Sequence, residues 1–599
     1  MIGARVRNVD WQLRTTGAGR YTADVELPGT LVAKVLRSPH PHARVVSIDC
    51  SRALRAPGVV AVLTAEDFGD VTYIHHGGPL SDRPPLARGV VRFIGQEVAA
   101  VAAETAAQAT AALARISVRY ERLPAATTVA EALAPGAAPL HERMFGPNVS
   151  SRVERHYGDP AAASRAATTV RGRYRFARQA HACMETSSTL ASWEDGRLDL
   201  WTSTQAPYFI RKEVAHALGL EMDRVRTHEV AVGGGFGAKS KIAEHEVLAA
   251  ALSRKAGRPV RLVLDRAEEF AVTKSRHSFT VELETGADAD GRLTHRVADV
   301  VVDNGAYNHS GPSVTGYGSL YLGSMYRTDG VEVEAKLVDT NTSPGGQFRG
   351  YGGPQAAFAV ESGMDELADA LGVDPIDLRV RNANQTGDVT HAGWRIASSR
   401  LVECLQIARE AIRWDEKRAL RGSGRGVGVA AAIHVSGARV YEDAERSDAA
   451  VDVRPDGRIR VRFGGADAGT GQKTILAQIA AAELGLDVDR VDVLSMASHE
   501  TPLDLGAWSS RGTYMSGHAV SLAAQSAARR LRGLAALKFG VPPDTVVIDG
   551  GRASTDGQDV EIGNLLALAD DLVDGELRVE ESFIADIEAV NPLTGIADL

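Results

Sequence analysis

The sequence predicts an α+β chain of several domains: a small α/β domain at the N-terminus, then two related α/β halves. Three observations lead there. The chain has 599 residues, more than a single hydrophobic core organises. Residues 17–130 alternate strand-like and helix-like patterns. The remainder contains one block of turn, strand, helix and strand signals twice. Composition agrees with a globular chain: 44% hydrophobic, 24% charged and 5% aromatic residues. The formal charge of −9 comes from 67 basic against 76 acidic residues with no long basic run, which argues against nucleic-acid binding. No run of about 18 apolar residues predicts a membrane span, and the N-terminus lacks the apolar core of a secretory signal. The three cysteines, Cys50, Cys183 and Cys404, lie far apart. They fit neither a disulfide framework nor a cysteine-ligated cluster, and cytoplasmic location is the expectation.

Taken in order, residues 17–49 read as two paired strands around a Pro/His loop, SPHPHAR. VVAVLTAEDF is a strand ending in a turn, and residues 91–123 read as strand, strand, Ala-rich helix, strand. The stretch 131–159, with Pro135, Gly136, Pro139 and Pro147, is the expected linker.

The repeated block follows. In the first copy Asp195-Gly196 leads into RLDLW, Thr204-Gln205, a helix closing at Leu218-Gly219-Leu220, and Asp223-Arg224-Val225 before a further strand. In the second, Asp456-Gly457 leads into RIRVRF, Gly471-Gln472, a helix closing at Leu484-Gly485-Leu486, and Asp489-Arg490-Val491. Asp-Gly suits a tight hairpin turn and Gly after a helix adopts the left-handed cap. Each Gln sits beside the unpaired amides of a helix start. One such joint is a common structural element; two copies predict a duplicated unit whose loops face each other across a cleft.

Three loops are candidates to line it. Gly233-Gly234-Gly235-Phe236-Gly237-Ala238-Lys239 lets the backbone approach a ligand and precedes a helix, a setting that favours anions. It is neither a dinucleotide fingerprint nor a phosphate loop ending in Gly-Lys-Ser/Thr. The run 344–355, PGGQFRGYGGPQ, adds the fixed charge of Arg349 and two aromatics. The run 506–514, GAWSSRGTY, brings hydroxyls to a helix start. No H-E-x-x-H or G-x-S-x-G occurs. His40 and His42 sit between prolines, which indicates a rigid turn rather than a metal pair. Glu244-His245-Glu246 reads as a solvated helix face, and Glu185 as an organiser of structure.

Taken together, RSPHPHARVVSID, VRFIGQEVAAVAAET, QAHACMET, WTSTQAP, GGGFGAK, GGQFRGYGGPQ, GTGQKTILAQIAAAELG and GAWSSRGTYMSGHAV resemble, in the same order, the large subunits of the molybdenum hydroxylases, relatives of xanthine oxidase, aldehyde oxidase and 4-hydroxybenzoyl-CoA reductase. The resemblance spans roughly residues 5–550. It implies a hammerhead α/β domain at 1–130, the linker at 131–159, a first molybdopterin-binding domain at 160–415 and a second at 416–599, truncated at its C-terminus relative to the family.

The resemblance further implies a molybdenum-pyranopterin, in the cytosine dinucleotide form, with the metal held by the pterin dithiolene and by no protein side chain. Carried over by motif, Gln205, Gly235, Phe236, Gly237 and Arg349 would lie around the metal. Gly471 and Gln472 would contact the pterin, and Ser509, Ser510, Arg511, Gly512 and Thr513 would wrap metal and phosphates. Tyr351 falls at the substrate-stacking position and Ser240 where purine-oxidising members carry a Glu. Their upstream Arg corresponds to Gly318, and the Cys of carbon monoxide dehydrogenases to the Gly346-Gln347 region, so both of those activities are disfavoured. The implied reaction oxidises an aromatic or N-heterocyclic compound or an aldehyde, with water as oxygen source and electrons leaving through a [2Fe-2S] subunit and an FAD subunit. The family's general-base Glu has no counterpart here, and the tail that carries it would begin near Leu599. A small partner chain completing the molybdenum site and an exposed apolar patch near the C-terminus are therefore the expectations. Two alternatives are a cofactor-binding paralogue without turnover and a plain nucleotide or sugar-phosphate site.

Overall fold

The computed structural model describes residues 2–73, 81–240, 244–419, 424–434 and 446–585. Three of the N-terminal strands join a sheet of the following domain. Leu31–Arg37, Glu97–Ala103 and Val59–Leu63 complete a seven-stranded sheet whose other strands are Val225–Thr227, Arg197–Thr202, Ser188–Glu194 and Val260–Val263. The junction is parallel, with Leu31 opposite Val260. Glu97–Ala103 is buried along its whole length, as a central strand covered on both faces must be.

The expected pairing of the two strands around SPHPHAR does not occur. Ala43–Asp49 instead pairs with Val90–Val91 and Ser117–Arg122 in a separate three-stranded sheet. Pro39 and Pro41 cannot donate to a ladder, and Ser38 Oγ accepts the His40 amide at 3.0 Å, fixing a turn that sends the chain to the second sheet. His42 uses a ring nitrogen to hold the Pro124 carbonyl. The linker is also shorter than expected. Val149–Gly158 is an edge strand paired antiparallel to Gly330–Asp339, and its burial alternates residue by residue.

A five-stranded sheet follows, ordered Val149–Gly158, Gly330–Asp339, Leu293–Gly305, Ser278–Ala287, Thr168–Phe176. Helices Gly311–Ser324 and Gly353–Leu371 share its core, with Tyr321 and Trp394 fully buried. The last half is built on Val491–Ser495, Ile459–Phe463, Arg446–Val453 and Leu577–Ile584, with helices Gln472–Glu483 and Gly517–Phe539 packed against them. In that long helix Ala519, Ala523, Ala524, Ala527 and Ala528 are buried, the spacing of one apolar stripe.

The repeat is a structural one. In each copy a hairpin feeds a helix, a left-handed Gly ends it (Gly219 φ 64°, Gly485 φ 62°), a short 3-10 turn follows, and a strand returns parallel to the hairpin's second strand. The copies differ at the hairpin tip. Asp195 and Gly196 both have positive φ, as a two-residue turn requires, whereas residues 454–458 form a longer turn with only Gly457 left-handed. The ends of the two return strands meet: Thr227 donates its amide to Ser498 Oγ at 2.9 Å and its hydroxyl to the Met496 carbonyl at 2.7 Å.

Glu244–Ala256, expected to carry a solvated acidic face, is instead buried against the seven-stranded sheet. Arg83 from the N-terminal segment supplies the counter-charge for Glu244 at 2.9 Å, and Thr202 donates to Glu246 at 3.1 Å. In the last half Leu537, Val547, Leu568, Val573 and Ile584 are exposed, and residues 586–599 lie outside the described residues. Among the described residues no helix is long and apolar enough to cross a membrane.

Candidate functional site

A cavity of about 1050 Å³ opens between the two halves, and all three Gly-rich loops reach it. Gln205, at the end of the first hairpin, is its hub. Its Oε1 accepts the Gly237 amide at 2.9 Å, and its Nε2 donates to the Ala507 carbonyl at 2.9 Å. Its backbone takes part too, donating to Lys239 O and accepting from Ala507 N. One amide side chain, which offers two donors and an acceptor, therefore joins the first loop to the third.

Gly235 lies behind this hub. A Cβ there would stand 2.4 Å from Gln205 Cδ, so the close approach demands glycine. Phe236 is held at φ 54°, is 44% exposed and lines the cavity. Its carbonyl accepts the Arg349 amide at 3.0 Å, tying the first loop to the second. The second loop is clamped from behind: Arg276 lies 4.1 Å from the Phe348 ring and donates to Arg349 O at 2.7 Å, and His181 packs at 4.2 Å from the same ring. The Arg349 guanidinium is exposed and has no ion-pair partner among the described residues. Tyr351, at φ 46°, meets Tyr317 edge-on at 5.6 Å.

In the third loop Ser509 and Ser510 have φ of 49° and 54°. Left-handed serines carry strain that the surrounding structure must hold. Arg511 does this holding rather than reaching outward. It is fully buried, 3.6 Å from Asp504, donates to the Arg446 carbonyl at 2.7 Å and lies over Trp508. Gly512–Ser516 forms one π-helical turn ahead of the long α-helix, a distortion that often marks ligand sites.

Of the residues expected at the site, all but Gly235 and Gly471 line the cavity. Gly471 is turned to a structural task. Asp467 accepts the amides of Gly469, Gly471 and Lys473, so this helix start is capped from within. Sequence reasoning treated those amides as unpaired because it missed Asp467 as the cap. Gln472 remains at the wall and donates to Ser516 at 3.3 Å. Ser240 is buried, donating to Gly237 O at 3.0 Å and accepting from Gln347 Nε2 at 2.9 Å, which makes it a brace between loops. Gly318 has no room for a side chain, since a Cβ would sit 2.7 Å from the Phe279 ring. Glu185 accepts the Gly233 amide and the Lys239 ammonium, both at 2.7 Å, and so organises the first loop.

The sequence did not point to Ala182, Met184, Ser313, Tyr317 or His434, which also line the cavity. Ala182 (φ 50°) and the 91% exposed Met184 lie within QAHACMET, so that motif was the available signal. Among the described lining residues Arg349, Arg511 and His434 carry basic groups, and none carries a carboxylate.

Models of known families match three segments: an aldehyde oxidase and xanthine dehydrogenase a/b hammerhead domain at residues 16–124, and molybdopterin cofactor-binding domains at 140–383 and 407–593. The xanthine dehydrogenase molybdenum-binding subunit of Escherichia coli O157:H7 is 36% identical over 86% of this chain and 70% of its own length. The chain belongs to the molybdenum hydroxylase family. As a hydroxylase large subunit it is also similar to the nicotinate dehydrogenase large molybdopterin subunit of Eubacterium barkeri, 35% identical over 68% of this chain and 96% of that one. Among solved structures, quinoline 2-oxidoreductase from Pseudomonas putida 86 superposes with a TM-score of 0.88 at 29% identity, covering 98% of this chain and 79% of the other. The loops of this molybdenum hydroxylase fit its family cofactor: a glycine cradle closed on Gln205, an uncompensated Arg349 and a cavity without acids suit an anionic, extended ligand.

Proposed function

We propose that this chain holds the cytosine dinucleotide form of molybdopterin in the inter-half cavity and hydroxylates a planar N-heteroaromatic compound or aldehyde, taking oxygen from water. Electrons pass to an iron–sulfur subunit and an FAD subunit, because three scattered cysteines give this chain no cluster site of its own. The single observation that carries the reading is Gln205 bridging Gly237 and Ala507 at the floor of a cavity lined by all three loops.

The bound cofactor supplies the two-electron oxidation of an electron-poor carbon. The chain's residues position and exclude. Gln205 keeps one N–H uncommitted among the described residues, available to a ligand acceptor. Arg349 offers a fixed positive charge to the cofactor or an anionic substrate. Phe236, Tyr351 and Tyr317 offer ring faces and edges to a flat substrate. Buried Ser240 and side-chain-free Gly318 provide no charged anchors for a purine, which favours other heteroaromatics.

The test is turnover of the complex purified from its native host on a panel of N-heterocycles and aldehydes in ¹⁸O-labelled water. The proposal predicts label in the hydroxylated product. A chain that holds molybdenum but oxidises nothing in the panel would favour a non-catalytic paralogue.

A further inference from the structure

The wall beyond Tyr351 is a row of rings. Tyr351 meets Tyr317 at 5.6 Å, Tyr317 lies 6.2 Å from Tyr321, and Tyr321 lies 6.1 Å from His434. Tyr321 is fully buried, and its hydroxyl stands 3.1 Å from His434 Nδ1. The segment that carries His434 is anchored on the helix Gly353–Leu371: the Ala431 amide donates to Glu361 at 2.9 Å, and Gly353 lies beneath the Ile433 carbonyl. His434 is thus a ring held in place at the end of the row opposite Tyr351, and it lines the cavity.

Most polar side chains on the wall are already engaged. Gln205 is joined to Gly237 and Ala507 with one N–H to spare, Gln347 to Ser240 and Ser310, Ser240 to Gly237, and Gln472 to Ser516. His434 Nε2 has no hydrogen-bond partner among the described residues. With Tyr321 as donor to Nδ1, the imidazole hydrogen resides on Nε2 of this cavity-lining residue. His434 is exposed overall, and the partial desolvation of its ring lowers its pKa from the ordinary histidine value.

We infer that His434 determines specificity: its Nε2–H donates to a carbonyl or other neutral acceptor on the end of a planar substrate remote from the reacting carbon. The inference rests on the cavity being the hydroxylase site and names the substrate class, a flat ring bearing a distal hydrogen-bond acceptor. A site built to donate to such a group discriminates against the analogue lacking it, because the donor is then left unpaired.

The experiment titrates the holoenzyme with 4-acetylbenzaldehyde and with 4-isopropylbenzaldehyde, which has nearly the same shape but no acceptor, following the change in tryptophan emission to which Trp508 at the cavity wall contributes. His434→Phe should weaken the acetyl probe about tenfold and leave the isopropyl probe unchanged. His434→Gln, whose amide also donates, should restore most of the loss. Equal weakening of both probes, no change in either, or a wild type that holds the cofactor yet binds both equally overturns the inference. Tighter binding of the donor-bearing 4-aminobenzaldehyde, lost in His434→Phe, would also overturn it by making the ring nitrogen an acceptor. A chain that never holds molybdenum overturns instead the reading on which the inference rests.

Discussion

Gln205 donates a hydrogen bond to the carbonyl of Ala507, 302 residues further along the chain, at 2.9 Å. Each belongs to a different half of the duplicated molecule, so this bond closes the cavity floor across the domain junction. Gln205→Ala leaves the Gly237 amide and the Ala507 carbonyl without their partner. A lost stabilisation of about 1–3 kcal/mol follows from two such groups, and molybdenum occupancy falls with it. Gln205→Glu should be no better, because a carboxylate still accepts from Gly237 but cannot donate to Ala507. Metal content and thermal unfolding of the three proteins check this.

Gly235 tests the cradle itself. In Gly235→Ala the new Cβ would start 2.4 Å from Gln205 Cδ, so the hub must move. Molybdenum content should drop at least about tenfold, the equivalent of about 1.4 kcal/mol of lost cofactor binding. Gly316→Ala is the matched control. That helical glycine has nothing within 4 Å of a Cβ, and alanine there should stabilise by about 0.5–1 kcal/mol without loss of metal.

Acid should open the second loop. Burial pushes His181 down to about 4, and its ring holds the Gln347 carbonyl at 2.8 Å while packing on Phe348. The unfolded chain takes up a proton near the ordinary value of 6.5 and the folded chain does not. Stability therefore falls as pH drops from about 6.5 to about 4, by up to about 1.4 kcal/mol per pH unit for this group. His141, also lowered to about 4 by burial, adds in the same direction. Chemical denaturation across this range should show the slope, and His181→Phe should show a shallower one.

Burial acts oppositely on a lysine at alkaline pH. Lys274 is lowered to about 8 from 10.5, chiefly by desolvation, while donating to Ser240 O at 2.7 Å. Between those values the unfolded chain binds more protons, so this group adds stability as pH rises from about 8 to about 10.5. Lys274→Met should remove that component, read as the difference between the two pH profiles.

The sequence and the structure agree where the signals are local. Asp-Gly turns, Gly caps and the Leu-Gly-Leu joints act over a few residues, and so the duplicated unit was legible. Sheet order was not. Leu31–Arg37 finds its neighbour in Val260–Val263, a pairing set by which buried faces fit after collapse rather than by any adjacent pattern. The same holds at the site. The loops were visible as glycine runs, but Asp467 as the cap of Gly471, the left-handed Ser509 and Ser510, and His434 at the end of the tyrosine row depend on three-dimensional context. Glu244-His245-Glu246 looked solvated because its counter-charge, Arg83, comes from a distant segment.

Tyr351 should set substrate affinity rather than cofactor binding. Tyr351→Leu removes the ring that meets Tyr317 at 5.6 Å and faces the cavity. KM for aromatic substrates should rise about tenfold, in line with a lost ring contact of about 1 kcal/mol or slightly more, with metal content unchanged. A fall in metal content would assign the ring to the cofactor instead.

The most direct measurement is the molybdenum and nucleotide content of the chain purified from its native host, alongside Gln205→Ala. The account predicts close to one molybdenum per chain, one equivalent of CMP released on acid hydrolysis, and a marked fall of both in the variant. Folded wild-type chain without molybdenum, or equal content in the two proteins, would contradict it.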